Sequence, residues 1–361
     1  MRQSRRYGQV RLAVAMMLLL SAPAARVWAA NGAAPAAPPA NNAAAARPEA
    51  HAARAATAPP KRAAAAEACD YACLTGMLDR YVQALAAHNP AAVPLAPRVR
   101  LTENTVRLRP GQALWGTFSG LGTYRLAFAD PQSGDAALEA SIRENGTPAI
   151  LLLRLRVAGG KITEVETVVH RNAGDALLLE KLGQPNPVWT TPLTPAQKTP
   201  RAEMARLANL YFDGILHSNG DMVPFDPRCN RILDGYQDTN NPTAKGWFDL
   251  GSFRPDAMGI RENMNTGVWS YIHSIEPRRI VVVDERMGIV LGMFMFNHPG
   301  NLLYKQVKGV GRVPMPPVVT HPSSVQMAEF FKIEGGKIRQ IEGVSLSLPF
   351  GSFTGWESPA K

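Results

Sequence analysis

Cysteine is scarce in this chain. Only Cys69, Cys73 and Cys229 occur in 361 residues, which excludes a disulfide-dense scaffold. No second pair of Cys or His stands at ligand spacing beside the first two, so a cysteine-built zinc site has no support. The seven histidines are scattered, none four residues from another, and no protein metal site is expected. The sequence also lacks a Gly-x-Ser-x-Gly elbow, a phosphate-cradling glycine loop, a His-Glu-x-x-His pair and a dinucleotide fingerprint. Esterase, nucleotide and hydride chemistry are therefore unsupported, and no cofactor is expected.

Acids are missing from one end only. Residues 1–66 hold 9 of the 39 bases but one of the 29 acids, Glu49, so the remainder carries 30 bases against 28 acids. A nearly neutral folded part argues against a nucleic-acid partner, despite the chain's net charge of +10.

The basic end reads as targeting. Arg2, Arg5, Arg6 and Arg11 precede the apolar run Leu12 to Leu20, and Val27 and Ala29 offer a cleavage site. This is the layout of a signal peptide over residues 1–29, too short for a membrane span. Sec-type export fits better than twin-arginine export, because Gly8-Gln9 lacks the apolar pair expected after Arg5-Arg6. The expectation is a periplasmic or secreted protein with no membrane attachment after cleavage. Residues 30–66 are mostly Ala and Pro, with too little large apolar surface to offset ordering entropy, and read as a disordered tether. In an oxidising compartment Cys69 and Cys73 are expected to close a small loop at a helix start, leaving Cys229 as a free thiol.

The rest of the chain repeats. Leu74, Met77, Leu78, Tyr81 and Leu85 form a helical stripe. Adding 130 gives Met204, Leu207, Ala208, Tyr211 and Ile215, the same stripe again. Val93-Pro94 and Pro97-Arg98 return as Val223-Pro224 and Pro227-Arg228. Arg156 to Ile162, with a central Gly-Gly hairpin turn, returns as Lys332 to Ile338, now offset by 176. Each copy reads as a helix followed by strands, with domains at 67–172 and 201–357 and a proline-rich linker over 173–200. The strand signals imply one helix packed on a curved, mostly antiparallel sheet, an α+β layer. Met293 to Phe296 is apolar on both alternating faces, which marks a strand buried on both sides.

This element order resembles the cone-shaped fold, a cystatin-like α+β barrel, of the nuclear transport factor 2 and SnoaL-like superfamily, so the expected architecture is two tandem SnoaL-like domains. Tyr81 and Glu103 are similar in placement to the oxyanion tyrosine and carboxylate base of ketosteroid isomerases in that superfamily, although Tyr81 also lies on the core stripe. A more specific resemblance runs from about residue 67 to 357. Cys69-Asp70-Tyr71-Ala72-Cys73, Leu114-Trp115-Gly116, Glu144-Asn145-Gly146-Thr147-Pro148, Val223 to Pro242 and His298-Pro299-Gly300 look like an uncharacterised, mainly fungal family of secreted proteins classed as a domain of unknown function. That resemblance implies fold and export, and no activity. It also implies a cysteine partner for Cys229 where this chain has Ile260.

Copy two is the longer, and its extra residues fall mainly at about 236–258 and 298–322. Long connections on a compact scaffold are more often functional than structural, and here they would wall a pocket that copy one lacks. The expected ligand donors are Arg231, Asn240, Asn241 and Arg261, with Tyr211 on the helix. His298, Asp234 and Asp284 are the candidates for proton transfer. Two functions follow. One is a cofactor-independent lyase, dehydratase or isomerase acting on a small, partly apolar molecule. The other is a non-catalytic ligand-binding or scaffold protein built as an intramolecular pseudo-dimer, open to pairing as a homodimer. Convergence of Arg231, Asn240 and His298 on one cavity is what separates them.

Overall fold

A computed structural model of the protein describes residues 69–243, 253–315 and 319–357. The export-signal reading and the tether reading fall outside the described residues. Among the described residues no helix is long and apolar enough to cross a membrane.

Copy one opens with α1 (Tyr71–Ala86), capped by Asp70, whose side chain accepts from the Cys73 N–H at 2.8 Å. Cys69 and Cys73 are disulfide-bonded across this first turn, with alpha carbons 5.3 Å apart. Strands β1 (Leu95–Glu103) and β2 (Val106–Leu108), the short helix α2 (Leu114–Thr117), and β3 (Phe118–Asp130), β4 (Asp135–Glu144), β5 (Thr147–Ala158) and β6 (Lys161–His170) follow. They form one six-stranded sheet in the order β2-β1-β6-β5-β4-β3, antiparallel except where β1 meets β6. The region read as a linker contains α3 (Ala173–Lys181) and α4 (Pro187–Thr190), and Ala176, Leu179 and Trp189 are buried. Those apolar side chains are its reason for folding down.

Copy two has α5 (Arg201–Leu216), β7 (Phe225–Leu233), β8 (Tyr236–Gln237), α6 (Ile260–Asn265), β9 (Ser274–Asp284), β10 (Ile289–His298), the hairpin β11 (Tyr304–Val307) and β12 (Gly311–Pro314), β13 (Ser323–Glu334) and β14 (Lys337–Pro349). Its main sheet runs β8-β7-β14-β13-β10-β9 and repeats the first, with its one parallel pair at β14 and β7. The offset is 130 from α1 to α5 and from β1 to β7, 154 from β4 to β10, and 176 from β5 to β13. The register agrees throughout: Leu138 faces Leu153 as Gly292 faces Glu329, and Leu101 faces Val165 as Arg231 faces Ile341. About 24 residues are thus inserted before the β9–β10 hairpin and about 22 after it.

Each helix covers one face of its own sheet. The predicted stripe of α1 is buried against Leu138, Leu151 and Val165, and that of α5 against Val290, Phe294 and Ile341. The other faces of the two sheets pack on each other through Phe128, Leu152, Val168, Leu291, Phe330 and Val344. The central strands β4, β5, β10 and β13 are therefore sandwiched, and along β10 Val290 and Phe294 face α5 while Leu291 and Met293 face copy one. Fully burying side chains of this size contributes about 1.5–3 kcal/mol each, which is why neither sheet needs a polar face.

Candidate functional site

A cavity of about 410 Å³ lies in copy two on the helix side of its sheet, at the rim where copy one's α3 crosses over. Ile260, Met264, Trp269, Tyr271 and Ile272 from the first insertion and Val319 from the second help to line it. The insertions do wall copy two: residues within 260–272 join Asp238 of the expected 236–258 stretch, of which residues 244–252 lie outside the described residues. Tyr211, Ile215, Phe296 and Met327 complete an apolar interior.

The floor carries charge. Arg231 is 6% exposed, donates from Nε to Glu329 at 2.8 Å and pairs through Nη1 with Asp238. All three side chains lie inside the protein, and Arg231 and Asp238 line the cavity. By the strand register their counterparts in copy one are Leu101, Leu108 and Leu153. The same strands therefore form with three leucines, and the charged triad is not a requirement of the fold. Removing such ions from water costs several kcal/mol apiece before their attraction is counted. Burial raises the Asp238 carboxyl to about 6 against the opposing effect of Arg231. Its Oδ1 has no hydrogen-bond partner among the described residues.

His298 ends β10 and lines the cavity at 6% exposure. Burial pushes its imidazole down to about 4, so it is neutral at physiological pH. Its Nδ1 has no partner among the described residues. The Tyr271 ring stands 5.4 Å from it, and Tyr271 also feels the charges of Arg231 and Asp238, so it bridges floor and wall. Burial holds the Tyr271 phenol in its protonated form.

The rim joins the two copies. Asp234 occupies a left-handed turn position, φ 51°, as Asn104 does in copy one. Asp234 accepts from the Ser345 N–H at 2.7 Å just as Asn104 accepts from the Val169 N–H at 2.7 Å. What is particular to copy two is the charge: burial raises the carboxyl to about 6, and His170 counters this from 3.7 Å away. Gly235, at φ 81°, lies so close to α3 that a Cβ would stand 2.4 Å from the Leu179 nitrogen. Only glycine lets α3 dock here, and that docking sets Asp175 beside His170. His170 contacts the Ser345 carbonyl through Nδ1 and Asp175 through Nε2, both at 2.8 Å. Burial works against its charge, but Asp234 and Asp175 prevail and hold it above the ordinary histidine range.

Of the expected site residues, His298, Asp234, Arg231 and Tyr211 line this one cavity, and Asp284, Asn240, Asn241 and Arg261 do not. Asp284 accepts from the Met287 and Ala129 N–H groups at 2.9 and 3.4 Å. It is the counterpart of Asp130, which accepts from the Val283 N–H and pairs with Arg201, while Tyr71 bonds Asp284. The two aspartates clamp the sheets reciprocally, which is a structural duty. Asn240 donates to the Cys229 carbonyl and to Asn230, and Asn241 to the Gln237 carbonyl, so both amides hold their own loop. Arg261 reaches Asp221 and the Val223 carbonyl at the surface. Tyr81, compared above with an oxyanion tyrosine, is packed at 5.1 Å against Trp115 in copy one's core. Glu103 is tied to the Leu114 N–H and to Arg171. Cys229 is buried in the same cluster as Ile260, and burial pushes its thiol up, so it is not a nucleophile at neutral pH.

Asp238, Glu329, Tyr271, Trp269 and the rim pair His170 and Asp175 were not expected. A signal for two of them was available: with the copies superposed in register, charge replaces leucine at 231, 238 and 329.

Residues 197–345 match the model of a family described as a domain of unknown function (DUF8021). The chain is similar to that family over copy two, including the whole triad and the inserted walls. His170, Asn172 and Asp175 lie outside the matched span. Comparison with curated proteins gives no match.

Proposed function

We propose that this is an exported protein with two tandem SnoaL-like cones, and that the cavity of the second binds a small, largely apolar molecule and moves a proton on it. The single observation that carries the reading is the triad Arg231–Asp238–Glu329, at positions where copy one carries leucine. Walls for an apolar ligand need no ions, and a buried triad is costly, so its position at the cavity floor supports a chemical role.

Asp238 is the base. Its carboxyl is raised to about 6, which keeps it ionised yet basic near neutral pH. Arg231 fixes its orientation through one oxygen and leaves the other unengaged. Neutral His298 and the protonated Tyr271 are donors for the oxygen on which charge develops when a carbonyl enolises or a hydroxyl departs. Isomerisation and elimination of water both need this set: one base, fixed donors and a dry pocket. The Tyr211 hydroxyl hydrogen-bonds Glu329 and holds the triad from the helix side.

The test is consumption of a small molecule from extracts of the native compartment. Wild type and Arg261→Ala should consume it, whereas Asp238→Asn and His298→Ala should not. Binding of the same molecule by all four proteins, with turnover by none, would reduce the site to the ligand-binding alternative.

A further inference from the structure

The cavity's charges are unequally matched, and geometry sets the imbalance. At the rim both ring nitrogens of His170 face acceptors, the Ser345 carbonyl and the Asp175 carboxylate, each at 2.8 Å. A ring that donates from both nitrogens is an imidazolium. It stands between two carboxylates, Asp175 and Asp234. At the floor the one guanidinium of Arg231 is shared by two more, Asp238 and Glu329. Each cluster therefore sets a single cation against two acids. Asp256, also buried, adds its negative field at Asp238.

Among the described residues, an entering carboxylate or phosphate would meet only cations already held by two carboxylates, and would be repelled by the excess. An entering cation would meet the opposite situation. The walls between the clusters are aromatic, formed by Tyr211, Trp269, Tyr271 and Phe296. Aromatic faces carry partial negative charge and attract ammonium groups. Among the described residues, the remaining histidine that lines the space, His298, is a neutral ring and adds no positive charge.

We propose that the cavity of copy two selects an apolar molecule bearing one positive charge, an organic ammonium, seated between its aromatic faces and its carboxylate excess. This rests on reading the cavity as a small-molecule site and specifies the class of molecule it takes. The rim contribution of copy one is part of the recognition, because Asp175 and His170 come from outside copy two. A substrate of this class carries its charge through the reaction, so the ammonium is a handle that positions the carbon or oxygen at Asp238.

Titration calorimetry on the mature chain near neutral pH tests this with three probes of one shape: 4-phenylbutylammonium, 4-phenylbutanol and 4-phenylbutyrate. The ammonium should bind at least about tenfold more tightly than the alcohol, and the carboxylate should not bind. Asp175→Asn should weaken the ammonium several-fold and leave the alcohol unchanged. Asp234→Asn should do the same, and the turn tolerates it because Asn104 fills that position in copy one. Alcohol binding equal to or tighter than that of the ammonium overturns the charge preference while leaving the small-molecule site standing. Tightest binding by the carboxylate does likewise. No heat from any of the three overturns both.

Discussion

Replacing Arg231 by leucine and replacing the whole triad by leucine should have opposite effects on stability. Arg231→Leu alone leaves Asp238 and Glu329 buried without a counter-charge, and breaking a buried pair in this way costs about 3–5 kcal/mol. The triple variant Arg231→Leu, Asp238→Leu, Glu329→Leu reproduces what copy one has at Leu101, Leu108 and Leu153. Exchanging a buried ion network for apolar side chains is commonly neutral or stabilising by about 1–4 kcal/mol. The triple variant should therefore match or exceed wild type, although it contains the damaging single change. Urea unfolding read at constant slope measures both differences. A second signature accompanies the single variant: its deficit should shrink as pH falls, because the orphaned carboxyls then take up protons instead of remaining buried ions. If the triple variant loses as much stability as the single one, copy two needs the triad to fold. The triad would then say nothing about chemistry.

If Asp238 is the base, the pH–rate profile of the wild type should rise through a limb near 6, and Asp238→Asn should abolish turnover at every pH along it. Asp284→Ala should destabilise by about 1–3 kcal/mol, because it leaves the buried Ala129 and Met287 N–H groups unpaired, yet leave ligand affinity unchanged; a loss of affinity at intact stability would return Asp284 to the site. Between the sheets, Glu139 and Glu342 are buried together, and burial raises both above the ordinary glutamate value; the charge of Glu342 raises Glu139 further, while hydrogen bonds with Tyr124, Glu139 and Trp189 partly offset the rise at Glu342. A raised folded value means their stabilising effect is complete below about pH 4.5 and is lost as pH climbs through the raised values, for Glu342 about 7. Glu139→Gln should flatten that decline and stabilise the protein at neutral pH, which thermal unfolding across this range checks. Mass spectrometry of the exported chain should find Cys69 and Cys73 linked, and free thiols at both would refute the bond.

Much of the architecture was legible because duplication leaves two readings of one pattern. The stripes of α1 and α5 agree at an offset of 130, and the Gly-Gly hairpins at 176, so helix, sheet and insertions could be placed without coordinates. The site was half legible. Arg231, Asp234, Tyr211 and His298 stood out as polar groups next to inserted chain, and they converge. Asn240 and Asn241 stood out for the same reason, but a loop's own carbonyls consume their amides, which polarity alone does not reveal. Asp284 looked like a lone acid at a strand end, and it is one half of a reciprocal clamp whose other half, Asp130, lies 154 residues away.

What the sequence by itself determined is whatever depends on near neighbours: apolar periodicity, turn glycines, the Cys69–Cys73 spacing and the internal repeat. Only the tertiary structure decided which faces of the sheets meet, because β10 and β13 are apolar on both sides and either side could have been the interface. Once the faces opposite the helices pack together, α3 is carried across Gly235, and His170 and Asp175 reach the rim of a cavity in the other copy. That juxtaposition sets His170 beside Asp234, 64 positions away, and depends on a backbone contact too close for any side chain at residue 235. No local pattern encodes it.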